Sequence, residues 1–211
     1  MSYDVDSDSY IDNATGILRN KLDIKTQAEL DVAEAQIAAV QITTLLDEEN
    51  IPPYDEFNPW LFYKVHKQIF ESLYDWSGEL RTVEISKGAT SFARATHLES
   101  NIRDLFKELK ADDYLVALDS NGIVEKLAYY YSELNVLHPF RDGNGRAIRT
   151  FLAMLAGSLG WHIAWDEMSP DENTQACIAA YQGDNQPLID LFTKIISPID
   201  VFWGRDPYEF I

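Results

Sequence analysis

Only one cysteine, Cys177, occurs in the 211 residues, so no disulfide can form within the chain, and a reducing cytoplasm is the compartment this usage fits. No apolar run approaches the roughly 20 residues that cross a bilayer, which excludes a membrane-spanning helix. The first nine residues, Met1 to Ser9, are polar and acidic where a secretory signal is basic and then apolar. Basic residues are scarce: 17 Lys and Arg face 35 Asp and Glu, for a net charge of −18. Such a surface repels phosphate backbones and anionic lipid, so general nucleic-acid binding and direct membrane binding are excluded as functions. The four histidines, His66, His97, His138 and His162, are scattered, and no His-Glu-x-x-His occurs. With a single cysteine, that leaves no zinc centre. Any site for a polyanion must therefore be local, a few basic groups set against an adverse field.

What is present is a core. Hydrophobic residues make up 46% of the chain and aromatic residues 12%, enough for one domain of ordinary size. Residues 1–16 read as an acidic N-terminal arm, mobile or loosely docked. Asp4-x-Asp6-x-Asp8 fails as a calcium loop, because Ser9 stands at the glycine position and Thr15 at that of the bidentate Glu. Residues 17–196 form the domain, and residues 197–211 a C-terminal tail rich in aromatics: Phe202, Trp203, Tyr208 and Phe210. Helical periodicity begins after Thr26, where Thr26 and Glu29 make a capping box, and ends before Asn50-Ile-Pro-Pro. Asn58-Pro59 opens a second helix. Further helices are expected over Leu98–Leu109, Asn121–Val136, Asn144–Leu159, Ser169–Tyr181 and Pro187–Ile196. The one good candidate for strand is the β-branched alternation either side of Lys87-Gly88, a hairpin signal. The fold class expected is all-α with one small β-hairpin.

Chemistry concentrates in residues 138–149, His-Pro-Phe-Arg-Asp-Gly-Asn-Gly-Arg-Ala-Ile-Arg. The segment joins two helical stretches. Pro139 breaks the first and leaves the His138 imidazole at its end. Gly143, Asn144 and Gly145 tolerate left-handed backbone angles, so successive N–H groups can turn inward as an anion nest. The next helix starts at once and points its positive end into the same concavity. Arg146 and Arg149, one turn apart, add two guanidinium forks suited to adjacent phosphates. Asp142 is out of place beside a phosphate unless a hard cation joins them, and Mg²⁺ with one carboxylate, phosphate oxygens and waters meets that need. His138 is then the candidate general base. Taken singly these residues are ordinary: a dipole partner, a turn, a solvated arginine pair, an N-cap. Their joint presence within twelve residues is not ordinary.

The segment resembles the signature of the Fic family, His-Pro-Phe-x-Asp/Glu-Gly-Asn-Gly-Arg-x-x-Arg, at every specified position. The run from Leu73 through Trp76, Gly78 and Arg81 to Gly88 is similar to the family's lead into its β-hairpin flap, and residues 17–196 resemble one Fic domain. The resemblance implies a protein adenylyltransferase using ATP as co-substrate and Mg²⁺ as cofactor. His138 takes the proton of a target Ser, Thr or Tyr hydroxyl as it attacks the α-phosphorus. Asp142 holds Mg²⁺ against the α- and β-phosphates. Gly143, Asn144 and Gly145 supply the nest, Arg146 grips the β- and γ-phosphates, and Arg149 holds the γ-phosphate. The flap, Ile85, Ser86, Lys87, Gly88, Ala89, Thr90, Ser91 and Phe92, lies over the nucleotide, with Lys87 and Gly88 near its tip, and registers the target by strand addition. A plain structural hairpin is the alternative.

Many family members carry an inhibitory helix with Ser/Thr-x-x-x-Glu-Gly/Asn. The C-terminal fifteen residues have no such pattern, and Thr44-x-x-x-Glu48 is followed by Glu49 inside the first core helix. That resembles the toxin members silenced by a separate small antitoxin, some of which act on ATPase subunits of type II topoisomerases. Two rivals stand beside AMP transfer. One is a Fic-fold kinase or other phosphate-group transferase; kinase-type relatives replace the second glycine, and Gly145 is retained. The other is a non-catalytic nucleotide-binding interaction module, which has no use for His138.

Overall fold

The long helices begin at caps the sequence supplies. In the computed structural model, which describes residues 8–87 and 90–199, Thr26 caps α1 (Gln27–Leu45): its hydroxyl accepts from the Glu29 N–H at 3.4 Å and donates to the Glu29 carboxylate at 2.6 Å. Asn58 caps α2 (Pro59–Phe70), accepting from the Leu61 N–H at 3.1 Å, with proline in the first turn where a missing N–H is harmless. There follow β1 (Ser86–Lys87), β2 (Thr90–Ser91), α3 (Leu98–Ala111), α4 (Ser120–Leu137), α5 (Asn144–Ser158), β3 (Trp161–Ile163), α6 (Pro170–Tyr181), α7 (Gln186–Ile195) and β4 (Ile196–Pro198). The fold is all-α, as the periodicity predicts, with small strand pairs.

α5 is the central element. Ala147, Ile148, Phe151, Leu152 and Leu155 along it are buried, and it packs against α1, α2, α4 and β3. Its N-terminal turn meets an aromatic cluster in which Phe62 lies 5.2 Å from both Phe140 and Phe151, and Phe106 5.5 Å from Phe151. Phe140 is fully buried, so the loop before α5 is nailed into the core by its own aromatic residue; emptying such a site typically costs about 3–5 kcal/mol.

One expectation needs correcting. Besides the flap pair, with register Ser86↔Ser91 and Lys87↔Thr90, a second antiparallel pair joins β3 to β4, Ile163 opposite Ile196. Its strands have three residues each and are separated by α6 and α7, too short and too distant for a period of two to register. β4 also draws the first residues of the expected tail into the body, and the Ile199 N–H reaches the Gly160 carbonyl at 2.8 Å. Phe202, Trp203, Tyr208 and Phe210 lie outside the described residues. At the other end, the arm is docked from Asp8 onward. Ile11 bridges Leu18, Ile17 and Leu18 are buried, and Tyr10 meets the Trp76 ring edge-on at 5.6 Å. The acidic composition hid these apolar contacts.

Candidate active site

α4 runs out at Leu137, and His138, its C-cap, adopts a left-handed conformation (φ 44°, ψ 58°) that turns the following proline away from the helix axis. The ring is fixed on two sides. Nδ1 donates to the Asn135 carbonyl at 3.1 Å, because a carbonyl only accepts, and Phe92 of the flap stacks on the ring face at 3.9 Å. The tautomer that donates from Nδ1 carries its lone pair on Nε2. Burial pulls the His138 pKa down to about 3, opposed by the Asn135 hydrogen bond and assisted by the positive charges of Arg81 and Lys87. The imidazole is therefore neutral at pH 7, the state a base needs.

The loop after His138 is held by side chains from three other parts of the chain. Arg81, fully buried, donates Nε to the His138 carbonyl at 2.9 Å, Nη1 to the Val83 carbonyl at 2.8 Å, and Nη2 to the carbonyls of Ala93 and Leu137. One guanidinium thus ties the end of α4 to both roots of the flap. His66 on α2 stacks on Phe140 at 3.8 Å, accepts the Gly78 N–H on Nδ1 at 2.9 Å, and so donates Nε2–H to the Asp142 carbonyl at 3.0 Å. Asn144 closes the loop on itself, its side chain accepting from the Phe140 N–H and donating to the Phe140 carbonyl, each at 2.8 Å. Arg141 is buried in a pair with Asp8.

Within the Gly143-Asn144-Gly145 run only Gly143 uses the left-handed region, at φ +75°. A Cβ there would stand 2.4 Å from the Phe70 ring. Asn144 and Gly145 are already helical, and Gly145 lets the Arg149 guanidinium pass close, 3.2 Å from where its Cβ would be. The first N–H groups of α5 open the cradle, having no intrahelical acceptors. The two arginines leave it on different sides. Arg146 lies over the Phe70 ring at 4.7 Å and pairs with Glu34 of α1. Arg149 lies toward α4, where its charge acts on the Tyr131 hydroxyl. Asp142 accepts from the Gly143 N–H at 2.6 Å through Oδ1. Burial raises its pKa, and the neighbouring Glu34 carboxylate adds to the rise against the opposing Gly143 N–H and Arg146. Glu34 is committed to Arg146 and to the Tyr74 hydroxyl, which leaves Asp142 as the carboxylate suited to a divalent cation. No cluster of three or more His, Cys, Asp or Glu ligands occurs among the described residues, so a Mg²⁺ held by Asp142 would complete its shell with phosphate and water.

On the far side of His138 a cleft of about 170 Å³ runs between the flap, the end of α4 and α6, lined among others by Lys87, Phe92, Asn135, Asn173, Cys177 and Tyr181. Tyr181 donates to the Ser91 carbonyl at 3.3 Å and so tethers the flap to α6. Ile85 is buried and accepts from the Phe92 N–H at 3.4 Å at the flap root. Gly88 and Ala89, the expected tip, lie outside the described residues. Glu34 and His66 carry no sequence signal of their own, each being one polar residue in a helix whose other spacing is that of a core, while Tyr74 and Arg81 lie in the run that resembles the lead into the flap, which assigns them no role.

A model of the Fic/DOC family matches residues 56–156. The probable protein adenylyltransferase Fic of Escherichia coli is 34% identical over 190 residues, which cover 90% of this chain and 92% of that protein. Protein adenylyltransferase VbhT of Bartonella schoenbuchensis is 35% identical over 199 residues, 94% of this chain but 41% of that protein, so the chain spans less than half of VbhT. Among solved structures, the Bartonella tribocorum effector BepC with bound AMPPNP has a TM-score of 0.81 at 26% identity, covering 90% of this chain and 96% of that one.

Proposed function

The chain belongs to the Fic/DOC family, and on that premise we propose that it moves AMP from ATP to a Ser, Thr or Tyr hydroxyl of another protein. The observation that carries the reading is His138: a neutral imidazole held by Asn135 and Phe92, with its lone pair on Nε2, at the start of the glycine and arginine loop and on the wall of a cleft. The target oxygen attacks the α-phosphorus, its proton passes to Nε2, and the bond to the pyrophosphate breaks. A triphosphate in the cradle brings negative charge close to His138 and raises its pKa, so the base gains strength when the nucleotide is in place. The α5 N-terminus, Gly143, Gly145, Arg146 and Arg149 hold the phosphates, while Asn144 acts through Phe140 to hold the loop. Asp142 would hold Mg²⁺, whose charge offsets that gathering on the leaving pyrophosphate. Lys87 and Phe92 wall the cleft from the flap side, where the strands Ser86–Lys87 and Thr90–Ser91 would register a target segment.

In its finer form the reading comprises a cytoplasmic enzyme, silencing by a small antitoxin, and type II topoisomerase ATPase subunits as targets. Among the described residues no helix is long and apolar enough to cross a membrane. Expression alone is expected to arrest growth, and co-expression of the inhibitor to relieve it; harmless expression of active enzyme defeats the toxin reading. The chemistry is tested by incubating the chain with ATP, Mg²⁺ and lysate, wild type against His138→Ala. Labelled proteins should gain about 329 Da for AMP, against about 80 Da for a phosphate, by covalent bookkeeping. Equal labelling by the two enzymes would sink the assignment of the base.

A further inference from the structure

We propose that Glu34 of α1 is a positioning residue for ATP, holding the Arg146 guanidinium at the back of the phosphate cradle and away from Asp142. The inference rests on the reading of Arg146 as a β,γ-phosphate grip. Glu34 comes from a helix 112 residues upstream, and both its oxygens are engaged: Oε1 takes Arg146 Nη2, and Oε2 accepts from the Tyr74 hydroxyl. The side chains are largely enclosed, 14% exposed for Glu34 and 26% for Arg146. Tyr74 is itself immobile, 1% exposed and stacked on Trp76 at 4.5 Å, so it holds the carboxylate in one rotamer. With Phe70 beneath the guanidinium at 4.7 Å, Arg146 is located by a ring face and an anion that both belong to other helices or loops.

What this accomplishes follows from the neighbour on the other side. Arg146 and Glu34 both act electrostatically on the Asp142 carboxyl, so all three groups share one small volume. Without Glu34, Asp142 is an anion already within electrostatic reach of Arg146. Pairing there would consume the phosphate grip and the cation ligand at one stroke. Glu34 engages the guanidinium through one nitrogen, and a guanidinium has five N–H donors, so the fork retains donors for phosphate. The opposite role, a carboxylate that competes with phosphate for Arg146, predicts a change of the opposite sign.

The test is binding of AMP and of α,β-methylene ATP, which cannot be cleaved at the reacting bond, to the full chain with Mg²⁺. Glu34→Gln preserves the shape and the acceptor for Tyr74. It is expected to weaken the triphosphate about tenfold while moving AMP less than about twofold, since AMP has no β- or γ-phosphate. Tyr74→Phe, which frees the Glu34 rotamer and keeps its charge, should weaken the triphosphate by about threefold. In an Arg146→Ala background, Glu34→Gln should add nothing. Equal weakening of AMP and triphosphate makes Glu34 merely structural and overturns the proposal; tighter triphosphate binding makes it a competitor and overturns it too. If Arg146→Ala leaves triphosphate affinity unchanged, the cradle reading falls and takes this inference with it. If Arg146→Ala weakens the triphosphate and Glu34→Gln does not, only the inference falls.

Discussion

Acidification should destabilise this protein through two histidines before its carboxylates titrate. Burial takes both His66 and His138 down to about 3, well below the ordinary 6.5. For His66 the hydrogen bond to the Asp142 carbonyl opposes the shift and Arg146 adds to it. Between those two values the unfolded chain binds a proton at each position and the folded chain does not, so stability falls as pH falls from about 7. Lowering pH from 7.5 to 5 should remove about 2 kcal/mol per histidine, from an unfolded pKa near 6.5. Asp142 and Glu133, whose pKa values are raised, work in the opposite direction at lower pH, and loss of negative charge relieves general repulsion. A difference measurement removes both. Urea unfolding of wild type and His66→Gln, read across pH 5 to 7.5, isolates one site, because the amide does not titrate. The variant is the less stable at pH 7.5, and its deficit should shrink by about 2 kcal/mol at pH 5. A deficit that stays constant over that range refutes the buried neutral His66, and with it the argument that the motif loop hangs from that ring.

Gly143→Ala should cost about 2–4 kcal/mol in urea unfolding, since it combines a left-handed backbone with a Cβ 2.4 Å from the Phe70 ring. Arg81→Lys offers one ammonium where a fork serves four carbonyls, and should cost about 3 kcal/mol or more. The same variant should speed limited proteolysis at the flap; unchanged cleavage there would show that Arg81 does not hold the flap roots. Chelation by EDTA should abolish AMP transfer, and Asp142→Asn should raise the Mg²⁺ concentration for half-maximal activity by about tenfold or more, read from a metal titration.

The elements that sequence reveals here are those whose information is local. The caps at Thr26 and Asn58, the helix periods and the 138–149 run are each read within a dozen residues, and the helices stand within a few residues of where their patterns place them. What escaped is nonlocal. β3 and β4 meet across 33 residues, Glu34 reaches Arg146 across 112, and Asp8 reaches Arg141 across 133. Asp8 illustrates the difficulty: in a stretch of alternating Asp and Ser it looks like any solvated acid, and only the fold reveals the buried arginine that it neutralises. The run Gly143-Asn144-Gly145 invites a single explanation, backbone freedom, yet its three members do three things. Gly143 clears Phe70, Asn144 braces Phe140, and Gly145 clears Arg149.

These long-range contacts also explain how so acidic a chain keeps a basic site in working order. The motif loop carries Arg141, Arg146 and Arg149 beside one carboxylate of its own, Asp142. Left alone, those cations would pair with Asp142 or with whichever of the many surface acids came nearest. Instead each is assigned: Arg141 to the buried Asp8, Arg146 to Glu34 and a ring face, Arg149 to the space beside Gly145 that the missing Cβ leaves open. His66 and Arg81 then hold the loop by its carbonyls, which leaves side chains and N–H groups to face a ligand. The cradle thus owes its attraction for anions to arginines held in place one by one, in a molecule whose net charge repels them.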